Sequence, residues 1–454
     1  MKTKQAIQLS DHFTCGRLLK FVAPPIFMMV FTSIYGIVDG FFVSNFVGGL
    51  PFAALNLIFP LIMILGAFGF MLGAGGTAFV AKELGAGNKE RANRVFSMLV
   101  YTTIVLGVIL TVAGLLLVRP ISVWLCAGEK QLLPAEREKL VEYCVLYGSI
   151  IICALPAFML QNAFQSFFVT AEKPRLGLLV TLIAGCGNMV LDGLFVPFFG
   201  LVGAALATAI SQVLGGIIPL FYFCSKNGSL LRLGKTKLEW RTLGKVCANG
   251  SSELMINISL SIVGMLFNAQ LMKFVGYTGV SAYGIINYIG FIFIAIFLGY
   301  SIGSSPIVGY NYGANNVKEL KNVFKKSLAI VAVFAVGMTA IAVAFATPLC
   351  RIFTAGDKEL LALAGKGMRI YSVSFLVCGF SIFASSFFTA LSNGLVSAII
   401  SFARTLVFQV LAVSIFPNLF GVDGIWWSVA VGEALAFIVS VLFVLWGGKR
   451  YRYL

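Results

Sequence analysis

Histidine is almost absent from this chain of 454 residues, and the one histidine, His12, precedes the first long apolar run. Zinc hydrolases, histidine-dependent nucleophilic catalysis and haem ligation need imidazole within the fold. The nine cysteines form no CxxC pair and no metal-binding spacing. Gly73-Ala74-Gly75-Gly76 resembles a phosphate-binding loop, but no GK[ST] follows it. We therefore expect no enzyme, no cofactor, no metal centre of these kinds and no ATP hydrolysis.

Charge is also scarce. Charged residues make up 11% of the chain and apolar residues 59%, whereas soluble domains have about 25% charged residues. The sequence therefore predicts an all-α integral membrane protein, because its apolar runs reach the roughly 20 residues of a spanning helix. Twelve such runs lie at 18–45, 52–81, 95–118, 143–168, 176–198, 201–224, 246–272, 279–306, 327–349, 369–391, 396–417 and 424–447.

The twelve spans are two copies of six. Phe46-Val47-Gly48 recurs as Phe274-Val275-Gly276, 228 positions later, and Gly85-Ala86-Gly87-Asn88 recurs as Gly313-Ala314-Asn315-Asn316 at the same spacing. We predict two six-helix lobes, residues 1–228 and 229–454, joined by a basic cytoplasmic linker at about 226–245. A pseudo-two-fold axis along the membrane normal would relate them, as in many secondary transporters.

Basic residues predict the orientation. Most of the 33 Lys and Arg residues fall in segments on the same side of the spans as the N-terminus, so both termini are predicted to be cytoplasmic in the plasma membrane. The first apolar run contains Asp39 and lacks a small-residue cleavage site, which favours a retained helix over a signal peptide. The net charge of +16 then faces anionic lipid, and no nucleic-acid partner is expected.

Charges inside spans are expensive, about 2.5 to 3.5 kcal/mol each at the bilayer centre, so each one is a functional hypothesis. Asp39 lies nine residues before Gly48, Asp192 eight before Gly200 and Thr208 eight after Gly200. All three are therefore predicted at a similar depth, roughly 12 to 14 Å below the outer surface. They could share one site.

Asn188 lies one helical turn from Asp192, on the same face. Two carboxylates, an amide oxygen and a hydroxyl could bind Na⁺, or could hold a proton because two close carboxylates resist ionising together. This predicts a cation-coupling site. The alternatives are that both acids bond separately to neighbouring helices, and that Thr208 bonds back to its own helix.

In the second lobe, Glu253 and Arg404 are both predicted in the inner half of their spans. We favour a buried ion pair between them. Two alternatives are that Glu253 faces the central cavity and that Glu433 pairs with Arg404. Amides and aromatic residues suit a cavity for bulky apolar cations, although many of the amides could serve packing instead. The candidate cavity residues are Tyr35, Gln161, Gln165, Glu253, Asn257 and Asn287.

Span one also contains Pro24-Pro25, about four turns before Asp39. Proline removes a backbone hydrogen bond and bends helices. One interpretation is that these prolines convert protonation of Asp39 into helix bending. The other is a static kink.

The sequence resembles the multidrug and toxic compound extrusion family over nearly its whole length. The segments that carry the resemblance are Ile37-Val38-Asp39-Gly40-Phe41-Phe42-Val43, the glycine-rich end of span two, Asn188 to Asp192, and Gly203-Ala204-Ala205-Leu206-Ala207-Thr208.

The resemblance implies alternating access that exports organic cations or amphipathic drugs in exchange for H⁺ or Na⁺. It places the cation site at Asp39, Asn188, Asp192 and Thr208, and the bending proline at Pro24 or Pro25. Some members pair an acid like Glu253 with another in span ten. Residues 369–391 contain no acid, so we favour the first lobe.

We expect a monomer in the lipid bilayer. The alternative function is a flippase for lipid-linked saccharides of the same superfamily, and a membrane enzyme or receptor-like scaffold is a more distant one.

Overall fold

The structure is a computed structural model that describes residues 7–127, 133–354 and 357–454. In these ranges the regular secondary structure is helical. The helices are α1 (Cys15–Phe46), α2 (Gly49–Gly85), α3 (Lys89–Cys126), α4 (Pro134–Cys153), α5 (Leu155–Thr170), α6 (Pro174–Cys224), α7 (Trp240–Phe274), α8 (Tyr277–Gly313), α9 (Val317–Ala344), α10 (Ala346–Arg351), α11 (Lys358–Ser372), α12 (Phe375–Ala390), α13 (Gly394–Phe402) and α14 (Phe408–Tyr451), with a π-helical turn at Ala403–Val407 between the last two.

Within the described ranges, eight helical segments are long and apolar enough to cross a membrane. Two bent pairs, α4 with α5 at 56° and α11 with α12 at 51°, each make one more span and bring the number to ten. Two segments are too long for one crossing, because 51 residues of α6 would measure about 77 Å at 1.5 Å per residue. Dividing each of them in two gives the twelve spans that the sequence predicts.

Glycine divides both long segments. Gly200 has φ 56° inside α6 and Gly421 has φ 61° inside α14. This left-handed region is accessible to glycine because it has no Cβ. Pro197 and Pro417 lie a few residues earlier, where each removes a helical hydrogen bond. The chain therefore turns back at these points, between spans five and six and between spans eleven and twelve.

Two compact units emerge from the packing. One consists of residues 1–30, 81–88 and 251–454, and the other of residues 31–80 and 89–250. Each unit thus takes most of one sequence repeat, while the first half of α1 packs with the second repeat. The predicted lobes at 1–228 and 229–454 stay a prediction.

In the unit of residues 31–80 and 89–250, a buried apolar cluster joins α1, α2, α3, α4 and α6. Its members include Val43, Ile58, Val118, Tyr147 and Leu201. Burying such side chains contributes about 1.5 to 3 kcal/mol each relative to exposure in water. The cluster fixes α4 against both arms of α6, and this arrangement positions the polar residues described next.

Candidate cation-binding site

The predicted cation-site residues all lie in one unit, residues 31–80 and 89–250. Asp39 is on α1, Asn188 and Asp192 are on the first arm of α6, and Thr208 is on its second arm, beyond Gly200. The two carboxylates are close enough for each charge to act on the other. Asp192 is fully buried and Asp39 is half-buried.

Direct hydrogen bonds join the two arms of α6. Asn188 Nδ2 donates to Thr208 Oγ1 at 3.5 Å, and Ser211 Oγ donates to the Ala184 carbonyl at 2.8 Å. The first of these bonds is long and the second is well formed. Because each bond crosses the Gly200 break, the amide and the hydroxyl predicted for the site are brought together by the turn itself.

Tyr147 on α4 is a fifth member that the sequence interpretation missed. It is buried, its hydroxyl group lies close to that of Thr208, and it lies within electrostatic range of both Asp39 and Asp192. A phenol is both a donor and an acceptor. Tyr143 and Tyr147, spaced by one turn at the start of the predicted span four, were the available signal, but tyrosine is common near membrane interfaces.

Four acceptor oxygens of this site are buried and, within the described ranges, have no hydrogen-bond donor. They are both carboxylate oxygens of Asp192, Oδ1 of Asp39 and Oδ1 of Asn188. Buried acceptors are normally paired, because each unpaired one costs about 1 to 3 kcal/mol and more if it is charged. The site is therefore rich in negative charge and short of donors, which is the chemistry of a cation or proton binder.

Three predicted cavity residues belong to the same unit. Tyr35 lies one turn from Asp39 and packs against Gly185 of α6. Gln161 is 6% exposed with its amide against Gly215, and Gln165 is 8% exposed. Tyr35 thus borders the cation site, while the two glutamines lie in helix packing.

The other three cavity residues are in the second unit. Asn257 Nδ2 donates to the Glu253 carbonyl at 2.8 Å, a bond within α7. Asn287 lies close to Tyr283. The half-buried Glu253 carboxylate has neither an ion pair nor a hydrogen bond within the described ranges.

The predicted ion pair between Glu253 and Arg404 is wrong. Arg404 Nε donates to Glu433 Oε2 at 2.8 Å, and both side chains are buried. Arg404 lies in the π-helical turn, whose extra residue per turn changes the direction of the side chains that follow. Glu433, which the sequence left open as an alternative, is thus the partner.

Pro24 and Pro25 are buried inside α1, which is continuous from Cys15 to Phe46. They lie in one packing unit and Asp39 lies in the other. Their role in helix bending stays a prediction.

Comparison with known proteins agrees with this architecture. The family model described as MatE matches residues 24–194 and again residues 254–413. Two matches of one model in one chain support the internal repeat.

Curated relatives cover nearly the whole chain. "Multidrug export protein MepA" of Staphylococcus haemolyticus (strain JCSC1435) is 26% identical over 450 residues, which are 98% of this chain and 96% of the relative. The protein of the same name from Staphylococcus aureus (strain MSSA476) is 25% identical over 451 residues, again 98% of this chain and 96% of the relative.

Solved structures share the fold. A MATE crystal structure in complex with MaL6 superimposes with a TM-score of 0.89 at 23% identity and covers 99% of both chains. An outward-facing multidrug resistance MATE family transporter of the MOP superfamily gives a TM-score of 0.88 at 24% identity, covering 100% of this chain and 99% of the other. With twelve spans, a repeat matched twice and this fold, the protein is a multi-pass membrane protein that belongs to the MatE family, the multidrug and toxic compound extrusion transporters.

Proposed function

We propose that this protein is a secondary active exporter that moves amphipathic organic cations out of the cell in exchange for H⁺ or Na⁺. Export of drugs is the activity in the names of its curated relatives. The observation that supports ion coupling is the group of four buried acceptor oxygens on Asp39, Asn188 and Asp192. Within the described ranges, none of them receives a hydrogen bond.

Either coupling ion fits these residues chemically. A proton on one carboxyl group removes a negative charge from a buried pair and supplies the missing donor. Sodium instead would be bound by hard oxygen ligands from the two carboxylates, the Asn188 amide and the Thr208 hydroxyl. Tyr147 lies beside Thr208 and closes the site on the α4 side.

Loading of this site is coupled to transport through α1. The helix carries Asp39 in one packing unit and Pro24-Pro25 in the other, so it runs through both. A change in the charge of Asp39 alters the packing of the half of α1 that carries Asp39. An ion moving down its gradient can then supply the free energy for drug movement.

Transport in proteoliposomes tests the proposal and identifies the ion. Purified protein is reconstituted, and ethidium movement is followed by fluorescence under a proton gradient, a sodium gradient or neither. We expect transport with one of the two gradients. Ethidium movement that is the same with and without either gradient would contradict ion coupling.

The site itself is tested by Asp39→Asn and Asp192→Asn. Each variant keeps the shape of the side chain but removes the ionisable group, and we expect at least a tenfold loss of gradient-driven transport. Asp423→Asn is the matched control, because Asp423 is exposed and paired with Lys366 at 2.7 Å, an interaction worth about 0 to 1 kcal/mol. Normal ion-driven transport by both site variants would reject this site.

A further inference from the structure

The segment between α6 and α7 is held against α3 by side-chain hydrogen bonds. We call residues 226–241 the basic strap. Asn93 of α3 holds it from two sides: its Oδ1 accepts from Arg232 N at 2.7 Å and its Nδ2 donates to the Leu230 carbonyl at 3.3 Å. Ser97 Oγ, one turn further along, accepts from Gly234 N at 3.0 Å.

More contacts continue along the strap. Thr236 Oγ1 donates to the Arg94 carbonyl at 2.9 Å, and Leu231 and Leu233 are buried. Leu233 N also donates to the Phe223 carbonyl at the end of α6 at 2.9 Å. The strap therefore has a defined backbone path, although it contains no strand and no helix before Trp240, where α7 begins.

Positive charge dominates its exposed face. Its basic side chains are all exposed, namely Lys226, Arg232, Lys235, Lys237 and Arg241. The only acid in this range is Glu239. Its carboxylate accepts a hydrogen bond from Thr242 Oγ1 at 2.8 Å and so serves the start of α7. The strap therefore carries five basic side chains against this one acid.

Two large apolar side chains lie among these cations. Trp240 is 74% exposed and Leu238 is 49% exposed, and they alternate with Lys237, Glu239 and Arg241. Tryptophan is favoured at the membrane interface, where its ring reaches the acyl region and its N–H reaches the headgroups. A site for a soluble polyanion would not need this exposed apolar pair.

The position of the strap favours lipid as its partner. It begins two residues after Cys224, where the span in α6 ends, and reaches Trp240, where α7 begins. A segment of this length fixed to α3 stays beside the ends of three spans, at the level of the headgroups.

We propose that the basic strap is a binding surface for anionic phospholipid. The phosphate groups contact Lys235, Lys237 and Arg241, and Trp240 with Leu238 enters the headgroup layer between them. The hydrogen bonds to α3 hold these side chains in place beforehand, which lowers the entropy cost of binding.

Quenching of Trp240 by brominated lipids tests this directly. The protein is reconstituted into phosphatidylcholine vesicles containing a minor fraction of brominated lipid, either phosphatidylglycerol or phosphatidylcholine. The chain has five tryptophans, so the Trp240 signal is the difference between wild type and Trp240→Phe. We expect brominated phosphatidylglycerol to quench this signal more strongly at equal mole fraction, and less so as salt is raised.

Variants that remove positive charge measure how much each basic side chain contributes to the preference for phosphatidylglycerol. A basic residue near an anionic surface contributes about 1 kcal/mol, which is about a fivefold change in association. Lys235→Gln, Lys237→Gln and Arg241→Gln should each lower the preference for phosphatidylglycerol by about that factor, and a triple variant more. The control replaces Arg351, Lys358 and Lys366 by glutamine, removing the same charge elsewhere, and should keep the preference.

Three results would overturn the proposal. One is equal quenching by the two brominated lipids. Another is the same loss in the control as in the strap variant, which would mean a general effect of net charge. The third is quenching of Trp240 by aqueous acrylamide but by neither brominated lipid, which would place it in water and favour a soluble partner. The salt titration on wild type decides the matter even if the triple variant does not fold.

Discussion

At the scale of single residues, the Arg404–Glu433 pair shows how the energetic cost of a buried charge depends on its partner. Removing one member of a buried pair leaves the other charge uncompensated, at a cost of about 3 to 5 kcal/mol. We expect Arg404→Met and Glu433→Leu each to lower the thermal unfolding midpoint in detergent strongly. The double variant should recover much of the loss, because two apolar side chains replace the pair. A double variant as unstable as either single one would contradict this account.

The sequence predicts that these residues matter but not which of them meet. Asp39, Asp192, Arg404 and Glu433 stand out because a charge inside a span is costly. Depth along a span is known only to about a turn from the sequence, and rotation about the helix axis is unknown. From the sequence, Glu253 was therefore favoured as the partner of Arg404 with Glu433 as an alternative, whereas the structure pairs Arg404 with Glu433. Tyr147 was missed for a related reason, since its role depends on contacts between three different helices.

At the scale of elements, glycine lets the ends of α2 and α8 touch through their backbones. A Cβ added at Gly85 would overlap the Tyr310 carbonyl oxygen, and one added at Gly313 would overlap the Lys82 carbonyl oxygen. Gly85 and Gly313 are 228 residues apart, as are Lys82 and Tyr310. Each repeat therefore supplies a glycine and also the carbonyl oxygen that the glycine of the other repeat contacts. Both contacts lie within one packing unit.

Alanine substitution tests this contact. Gly85→Ala and Gly313→Ala force the backbones apart, and overpacking of this kind typically costs about 1 to 3 kcal/mol. Gly264→Ala in α7 is the control, because nothing lies within 4 Å of its added Cβ; it should be neutral or slightly stabilising. The measurement is the thermal unfolding midpoint in detergent. Equal midpoints for all three variants would show that the contact does not limit stability.

The elements themselves were largely predictable, and their breaks were not. Each apolar run of the sequence corresponds to a helix or a pair of helices. The run at 143–168 is predicted as one span, yet α4 and α5 meet at 56° around Ala154. A hydropathy profile does not reveal such a bend, because the segments before and after it are equally apolar. Pro156, at the start of α5, marks the place, but several other prolines in this chain lie inside continuous helices.

At the scale of the whole molecule, the repeat appears in packing as well as in sequence. Gly303 packs against Val22 within one unit, and Gly75 packs against Gly250 within the other. Each residue of the second pair is 228 positions from one residue of the first. The first helix of each repeat thus packs with the second helix of the other repeat. The predicted division at residue 228 does not contain this exchange, because it follows the order of the two repeats along the chain.

The orientation in the membrane is a prediction from the number of spans and the basic residues together. Six spans before the strap place Lys226 on the side of the N-terminus, and nine spans before Lys358 place it on the opposite side. Both residues are exposed, and the bias of Lys and Arg assigns the first side to the cytoplasm. In a cysteine-free background, Lys358→Cys should react with a membrane-impermeant maleimide on intact cells. Lys226→Cys should react only after the membrane is permeabilised. The reverse labelling pattern would invert the direction of transport proposed here, because Asp39 and Asp192 would then lie near the cytoplasmic surface.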